Sequence, residues 1–319
     1  MRKLVVLILI FSFCLSMVAC GAEQKIEAPN TEPVVEVTTA PKTEEKEQAE
    51  ETKPVETDPI EQEPVITEPV LQEVTISESI IFENDNYRAT ITGFDDSDGY
   101  NAKIKIHLEN FTDKNIALSA NHFVVNGIYM WCDLYIKAAA GKNAKGSIEV
   151  RREDMEEFGI TKIATMYTND ASFVDTDSYD TLDEFEFEVM TSIADDYVQA
   201  IDDSGSLVYS EDGIEIKYKG HRINDYGEFE LMFYMKNDTD KDLIISCENV
   251  SVNDYTIYGD LLARCNAGSV CYASMDFYED DLVENDIEKI ETVSFTFEMY
   301  EQKTYDSYRD TDFVDLIVE

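Results

Sequence analysis

The feature that most constrains this chain is a match between its two halves at a fixed offset of 127 residues. Asn110, Thr112 and Lys114 recur as Asn237, Thr239 and Lys241, and the match runs without a gap from Ser79 to Thr165. Further matched pairs are Gly93 with Gly220, Asn126 with Asn253, Asp133 with Asp260, Gly141 with Gly268, and Ile163 with Ile290. A period of this length is the size of a domain rather than of a solenoid unit. The sequence therefore predicts two tandem copies of one domain, a first copy at 73–192 and a second copy at 206–319, joined by a polar linker at 193–205.

Apolar and polar residues alternate along both copies. Ile104, Ile106 and Leu108 alternate with polar residues in the first copy, and Phe229, Leu231 and Phe233 do so in the second. A period of two is typical of a strand with one buried face. Further strands are expected near Ser147–Arg151, Lys162–Tyr167 and Glu184–Val189, and a short helical turn over Glu153–Phe158 and its counterpart Asp280–Asn285. About seven short strands per copy predict an all-β chain of two antiparallel β-sandwiches.

Turn motifs punctuate these strands at matching places in both copies. The first copy has Asn110–Lys114 and then Asn126-Gly127, and the second has Asn237–Lys241 and then Asn253-Asp254. Asn and Asp favour turns because their side chains bond the nearby backbone. This arrangement resembles the Ig-like domains of bacterial surface lipoproteins, although the antibody-type Cys…Trp…Cys core is absent. The resemblance covers most of both copies, rests on turn motifs, and implies an extracellular, non-catalytic module.

The N-terminus has the pattern of an export signal. Arg2 and Lys3 precede an apolar run, Leu4–Ala19, which is shorter than the roughly 20 residues of a membrane span. The run ends in Met17-Val18-Ala19-Cys20-Gly21, which resembles the lipobox of bacterial lipoproteins, where Leu usually stands in place of Met17. The resemblance implies a signal peptide at 1–19, cleavage before Cys20 and a diacylglyceryl group on its sulfur. Two acyl chains hold a protein durably on a membrane, so we expect a chain anchored at the extracellular face of the bacterial cell membrane, with an unprocessed transmembrane segment as the alternative.

The next segment, 20–72, is rich in Glu, Thr and Pro and has no aromatic residue. Such a composition does not bury enough apolar surface to offset the entropy of ordering. It predicts a disordered stalk between the anchor and the folded copies.

The formal net charge of −43 narrows the range of partners. Binding to nucleic acid needs a cationic surface, and no segment after the signal peptide is basic, so nucleic acid is excluded as a partner. The membrane is expected to be contacted through the lipid anchor alone.

No catalytic set, cofactor motif or metal motif is found in the sequence. His107, His122 and His221 are scattered, and none recurs in the other copy. Neither acidic stretch fits a calcium loop: with Gly99 as the sixth residue, Phe94 is first and Lys105 twelfth, and the stretch that starts at Asp238 has Leu243 sixth and Asn249 twelfth. We therefore expect a protein that is not an enzyme and that has no cofactor and no metal.

Two groups of side chains are candidate sites. On the strand after Asn126-Gly127, the residues Tyr129, Trp131, Asp133 and Tyr135 share one face, with Tyr258 and Asp260 at two of the equivalent places in the second copy. Such a face can stack on a sugar ring or a peptide, or it can pack on the opposite sheet or the neighbouring domain. Cys265 and Cys271 bracket a short turn and can form a disulfide if their Cβ atoms converge, or remain buried free thiols.

These features predict a non-catalytic binding or adhesion module that recognises an extracellular protein, peptide or glycan. A passive spacer of the cell envelope is the first alternative. The second is an accessory enzyme with its site between the two domains, which would need a deep cleft lined by a histidine or by carboxylates of shifted pKa.

Overall fold

The computed structural model describes residues 73–224 and 226–318. These residues belong to one compact unit. Their regular structure is almost entirely β, with two helices of six residues each. Within these residues, no helix is long and apolar enough to cross a membrane.

The first copy contains eight strands and one helix, which follow the alternation of its sequence. They are β1 (Ser79–Glu83), β2 (Tyr87–Asp95), β3 (Asn101–Asn110), β4 (Ile116–Val125), β5 (Ile128–Ala138), β6 (Asn143–Arg151), α1 (Arg152–Glu157), β7 (Thr165–Asp175) and β8 (Thr181–Met190).

The second copy has the same order of elements. They are β9 (Ser206–Glu211), β10 (Ile214–Ile223), β11 (Phe229–Asn237), β12 (Leu243–Val252), β13 (Tyr255–Thr256), β14 (Leu262–Cys265), β15 (Ser269–Phe277), α2 (Glu279–Glu284), β16 (Thr292–Glu301), β17 (Ser307–Asp310) and β18 (Val314–Ile317). The counterpart of β5 is broken into β13 and β14, and the counterpart of β8 into β17 and β18. Gly259 lies in the first break, where the first copy has Cys132, and a Cβ atom there would lie 3.2 Å from side-chain atoms of Met275 and Val250.

The strands of the first copy form two layers that share one buried core. One layer has the order β1-β2-β3-β6 and the other β8-β7-β4-β5. Strand β5 also pairs with β6 at Asp133–Glu149 and Leu134–Ile148, so the layers are joined at this corner. Ile104 of β3 and Phe123 of β4 belong to the same buried cluster.

The second copy repeats the two layers, as β9-β10-β11-β15 and as a six-stranded sheet around β12 and β16. One parallel contact, Val270 of β15 with Ile128 of β5, joins the first of these layers to the first copy, and all other strand pairs are antiparallel. The expectation of an all-β fold of antiparallel sheets is confirmed. The division into two separate Ig-like domains stays a prediction.

The first turn asparagine of each copy is a buried cross-link. Asn110 is 1% exposed, and its Nδ2 donates to the carbonyl oxygens of Lys114 (2.8 Å) and Ala138 (3.2 Å). Its Oδ1 accepts from the backbone N–H of Thr112 at 3.0 Å and from the Thr112 hydroxyl at 2.8 Å. Asn237 makes the equivalent bonds in the second copy, so the recurring motif pins the end of a strand to the loop beside it.

The second turn asparagine, Asn126, has a left-handed backbone (φ 50°) and reaches across to the chain before β7. Its Oδ1 accepts from the N–H groups of Ala164 and Thr165, and its Nδ2 donates to the carbonyl of Lys162. Asn253 makes the matching contacts. These bonds hold residues 162–164 in a loop, so the strand expected over Lys162–Tyr167 begins at Thr165 instead.

At the junction of the two copies, each copy packs a tyrosine against the core of the other. Tyr234 of β11 is 3% exposed and belongs to the buried core of the first copy, whereas Tyr129 of β5 packs against the core of the second. Phe158, just after α1, stacks on Tyr272 of β15 with ring centroids 5.4 Å apart. The backbone N–H of Val270 donates to the carbonyl of Gly127 at 2.9 Å. The copies are therefore packed together, and not merely tethered.

Part of the expected linker also packs on the second copy. Lys219 forms an ion pair with Asp202 at 2.8 Å, and Lys217 forms one with Asp203 at 3.1 Å. The hydroxyl of Tyr272 donates to the carbonyl of Asp202. Polar residues of the segment 193–205 therefore form ion pairs and a hydrogen bond with residues of β10 and β15.

Candidate functional site

Strand β5 presents an open aromatic surface. Its inward residues Met130, Cys132, Leu134 and Ile136 are buried, as the alternation predicts. On the outer face Trp131 is 55% exposed and Tyr135 is 52% exposed. Neither ring is covered by the opposite sheet or by the second copy. We refer to Trp131, Asp133 and Tyr135 as the aromatic row.

Tyr129, on the same face, has a different role. It is half-buried against the second copy, and burial raises the pKa of its hydroxyl. With Asp260, Arg264 and Asp276 it lines a hollow of about 280 Å³ at the junction of the copies. The structure thus brings Tyr129 and Asp260 together but separates both from the aromatic row.

Asp133 is a carboxylate with no side-chain partner in the described part of the chain. Among residues 73–224 and 226–318, no side chain forms a hydrogen bond or an ion pair with it. It lies directly opposite Glu149 of β6, and like charges at directly opposed positions destabilise a sheet. Glu149 is itself held by Asn101 at 2.9 Å and more loosely by Lys103 at 3.8 Å. The unrelieved charge at Asp133 lies between two exposed rings.

His122 and Asp170 support the Trp131 ring from the neighbouring strands. A bulge in β4 between Ala120 and His122 brings the histidine opposite Trp131. Its ring meets Trp131 edge-on at 5.2 Å, stacks on Tyr129 at 6.0 Å, and bonds Asp170 through Nδ1. Burial alone would raise the pKa of Asp170, but hydrogen bonds from His122 and Thr168 outweigh it and lower that pKa. From the sequence alone, His122 is set aside as a scattered histidine and Asp170 is not identified, because neither residue recurs in the second copy and the bulge has no sequence pattern.

The second copy does not repeat the row. Tyr258 is 61% exposed, but it lies between β13 and β14 and stacks on Tyr278 with centroids 6.2 Å apart. The Tyr278 hydroxyl donates to Asp260 at 3.2 Å, and the backbone of Asp260 pairs with Asp276. Because the strand is broken here, Tyr258 and Asp260 are not displayed on one pleated face as Trp131 and Asp133 are.

Acidic groups surround Asp276 at this junction. Its pKa is raised by burial and by Glu230 and Asp260, and its Oδ1 is buried without a hydrogen-bond partner. In the described part of the chain, no three His, Cys, Asp or Glu side chains converge as a metal site would require.

The four cysteines of the folded part are free thiols in the structure. Cys265 and Cys271 are buried next to each other, and the hydrogen bond between them, together with burial, raises the pKa of Cys271. A disulfide between this pair stays a prediction. Burial also raises the pKa of Cys132, and it raises that of Cys247 to about 12, which disfavours the nucleophilic thiolate at both.

A cleft of about 700 Å³ lies between the copies. Its lining includes Phe158, Tyr272, Glu157, Asp202 and Arg222, and no histidine is among the described residues that line it. Hydrogen bonds from Lys219 and Ser204 hold the pKa of Asp202 well below its usual value. Arg222 is bonded to Glu230 at 2.5 Å and lies 3.4 Å from Glu157. Asp202 and Arg222 are therefore each paired with a group of opposite charge.

The signal peptide at 1–19, the lipidation site Cys20 and the stalk at 20–72 lie outside the described residues. No protein-family model matches the chain, and no curated protein sequence matches it.

Proposed function

We propose that this chain is a lipid-anchored module on the extracellular face of the bacterial cell membrane, which binds a partner through the aromatic row and performs no chemistry. The observation that carries the proposal is the exposure of Trp131 and Tyr135, each more than half open to solvent on a rigid strand. Tryptophan and tyrosine are enriched among the residues that dominate binding energy, because each buries about 150–250 Å² of surface. The second copy supports the first through the shared junction and does not supply a second row.

The alternatives predict different behaviour. A passive spacer should bind nothing, and it has no use for an exposed tryptophan held in place by His122. An accessory enzyme would need a reactive group in the cleft between the copies, where Asp202 and Arg222 are occupied by ion pairs. The binding module is therefore the function that we favour.

Replacing Trp131 with alanine is expected to weaken binding by about thirtyfold or more, the effect of losing a dominant contact residue. Ligands would be found by screening the full chain against arrays of glycans, peptides and cell-wall fragments. The matched control is Tyr258→Ala, which removes an equally exposed ring outside the row and should leave affinity unchanged. Equal affinity of Trp131→Ala and the unaltered chain would discard the aromatic row as the binding surface.

Replacing Cys20 with alanine is expected to move the chain from the membrane fraction to the soluble fraction, because the acyl chains that anchor it can no longer be attached. Fractionation of the producing cells, followed by detection with an antibody, measures this. Cys14→Ala is the control, since Cys14 lies within the expected signal peptide and should not be lipidated. A Cys20→Ala chain that stays in the membrane would instead support a transmembrane segment.

A further inference from the structure

We propose that the aromatic row binds arginine side chains of an extended basic segment in an extracellular protein. The inference rests on the proposed function and adds the chemical class of its partner.

The charge on this sheet face is complementary to a cation. No described side chain is bonded to Asp133, which lies opposite Glu149, so a bound cation would relieve the repulsion between the two carboxylates. The same outer face has a second acidic line at its far edge, formed by Glu184, Glu186 and Glu188 of β8, all exposed. Register places Glu184, Ser172, Ser119 and Tyr135 in one line across β8, β7, β4 and β5, so this acidic line and the aromatic row share a face. An anionic polymer would be repelled by this surface, and by the net charge of −43.

The rings offer surfaces that attract cations. Lys137 already places its Nζ over the Tyr135 ring, 5.2 Å from the centroid. Tryptophan is the best cation–π acceptor among the side chains, and Trp131 is 55% exposed two residues before Asp133 on the same strand. Arginine suits this combination better than lysine because its planar guanidinium stacks on a ring while its N–H groups form paired bonds with a carboxylate.

The spacing fits an extended peptide. Trp131, Asp133 and Tyr135 are alternate residues of one strand, so their Cβ atoms repeat at about 7 Å. An extended peptide that follows β5 projects alternate side chains at the same interval. Successive arginines at alternate positions would therefore meet the acidic group and the two rings in turn.

Trp131 makes the test direct because it is the only tryptophan of the chain, so its fluorescence reports occupancy of the row. The full chain would be titrated with a seven-residue peptide in which arginine alternates with threonine. Parallel titrations would use the same peptide with lysine, the same peptide with glutamate, and a glucosamine oligomer. We expect a saturable change with the arginine peptide, a weaker one with lysine and none with glutamate.

The Asp133→Asn substitution is expected to lower the affinity of the chain for the arginine peptide about tenfold. The control Asp306→Asn removes the same charge at an exposed site outside this face and should change affinity by less than about twofold. Equal losses in both variants, or equal binding of the lysine peptide, would overturn the assignment to arginine at the row. Saturation by the glucosamine oligomer without binding of the arginine peptide would overturn it in favour of an amine-bearing glycan. If another ligand is found that depends on Trp131 but not on Asp133, the proposed function stands and this inference fails.

Discussion

The Asn237→Ala variant should unfold with a free energy about 3–5 kcal/mol lower than the unaltered chain, because several buried backbone groups lose their partner at once. Asn237 is fully buried, and its Nδ2 donates to the carbonyls of Lys241 at 2.7 Å and Cys265 at 2.8 Å. Its Oδ1 accepts from the N–H of Thr239 at 3.0 Å and from the Thr239 hydroxyl at 2.6 Å. Alanine can replace none of these bonds, and water has little access to the site.

Chemical denaturation followed by circular dichroism measures the loss. Asn143→Ala is the matched control, since Asn143 is exposed at the start of β6, and it should change the free energy of unfolding by less than about 0.5 kcal/mol. Asn110→Ala should behave like Asn237→Ala because the bonds of Asn110 are equivalent. A loss below about 1 kcal/mol in both buried variants would show that these asparagines do not stabilise the fold as the structure implies.

Replacing Tyr234 with alanine is expected to uncouple the two copies, so that one thermal transition becomes two. Tyr234 belongs to the second copy in sequence, yet its ring is 3% exposed within the core of the first, and burial raises the pKa of its hydroxyl to about 12. Truncating a buried aromatic ring costs about 3–5 kcal/mol, and here the loss falls on the contact between the copies. Tyr129, Phe158 and Tyr272 remain at the junction but are only partly buried.

Differential scanning calorimetry of the full chain would follow this change. The control Tyr100→Ala removes a tyrosine that is 83% exposed and should preserve a single transition at nearly the same temperature. One unchanged transition in Tyr234→Ala would mean that the parallel contact between β5 and β15, together with the linker ion pairs, holds the copies together without this ring.

The sequence indicates this junction through differences between the two copies, which the alternation of apolar and polar residues within one strand does not show. Met232, Tyr234 and Tyr272 stand where the first copy has Lys105, His107 and Lys145. The positions belong to the outer face of the equivalent sheet, so apolar residues replace polar ones on one copy only. This difference between the copies indicates a covered face, and the structure shows that the first copy covers it.

Local backbone chemistry explains the features of this protein that could be predicted from its sequence. Strand alternation, the turn asparagines and the offset of 127 residues depend on residues close in the chain or on a repeated pattern, so the all-β fold and the outward direction of Trp131, Asp133 and Tyr135 could be predicted from sequence. Those features are set by backbone geometry, which acts over a few residues.

Tertiary structure alone decided which rings stay exposed. Tyr129 and Trp131 are two residues apart on one face, yet the first is covered by the second copy and the second is open. The bulge that brings His122 to Trp131 and the break between β13 and β14 at Gly259 likewise show no periodic pattern in the sequence. Packing between strands that are far apart in the chain decides which rings are covered. The periodicity of a single strand does not encode that packing.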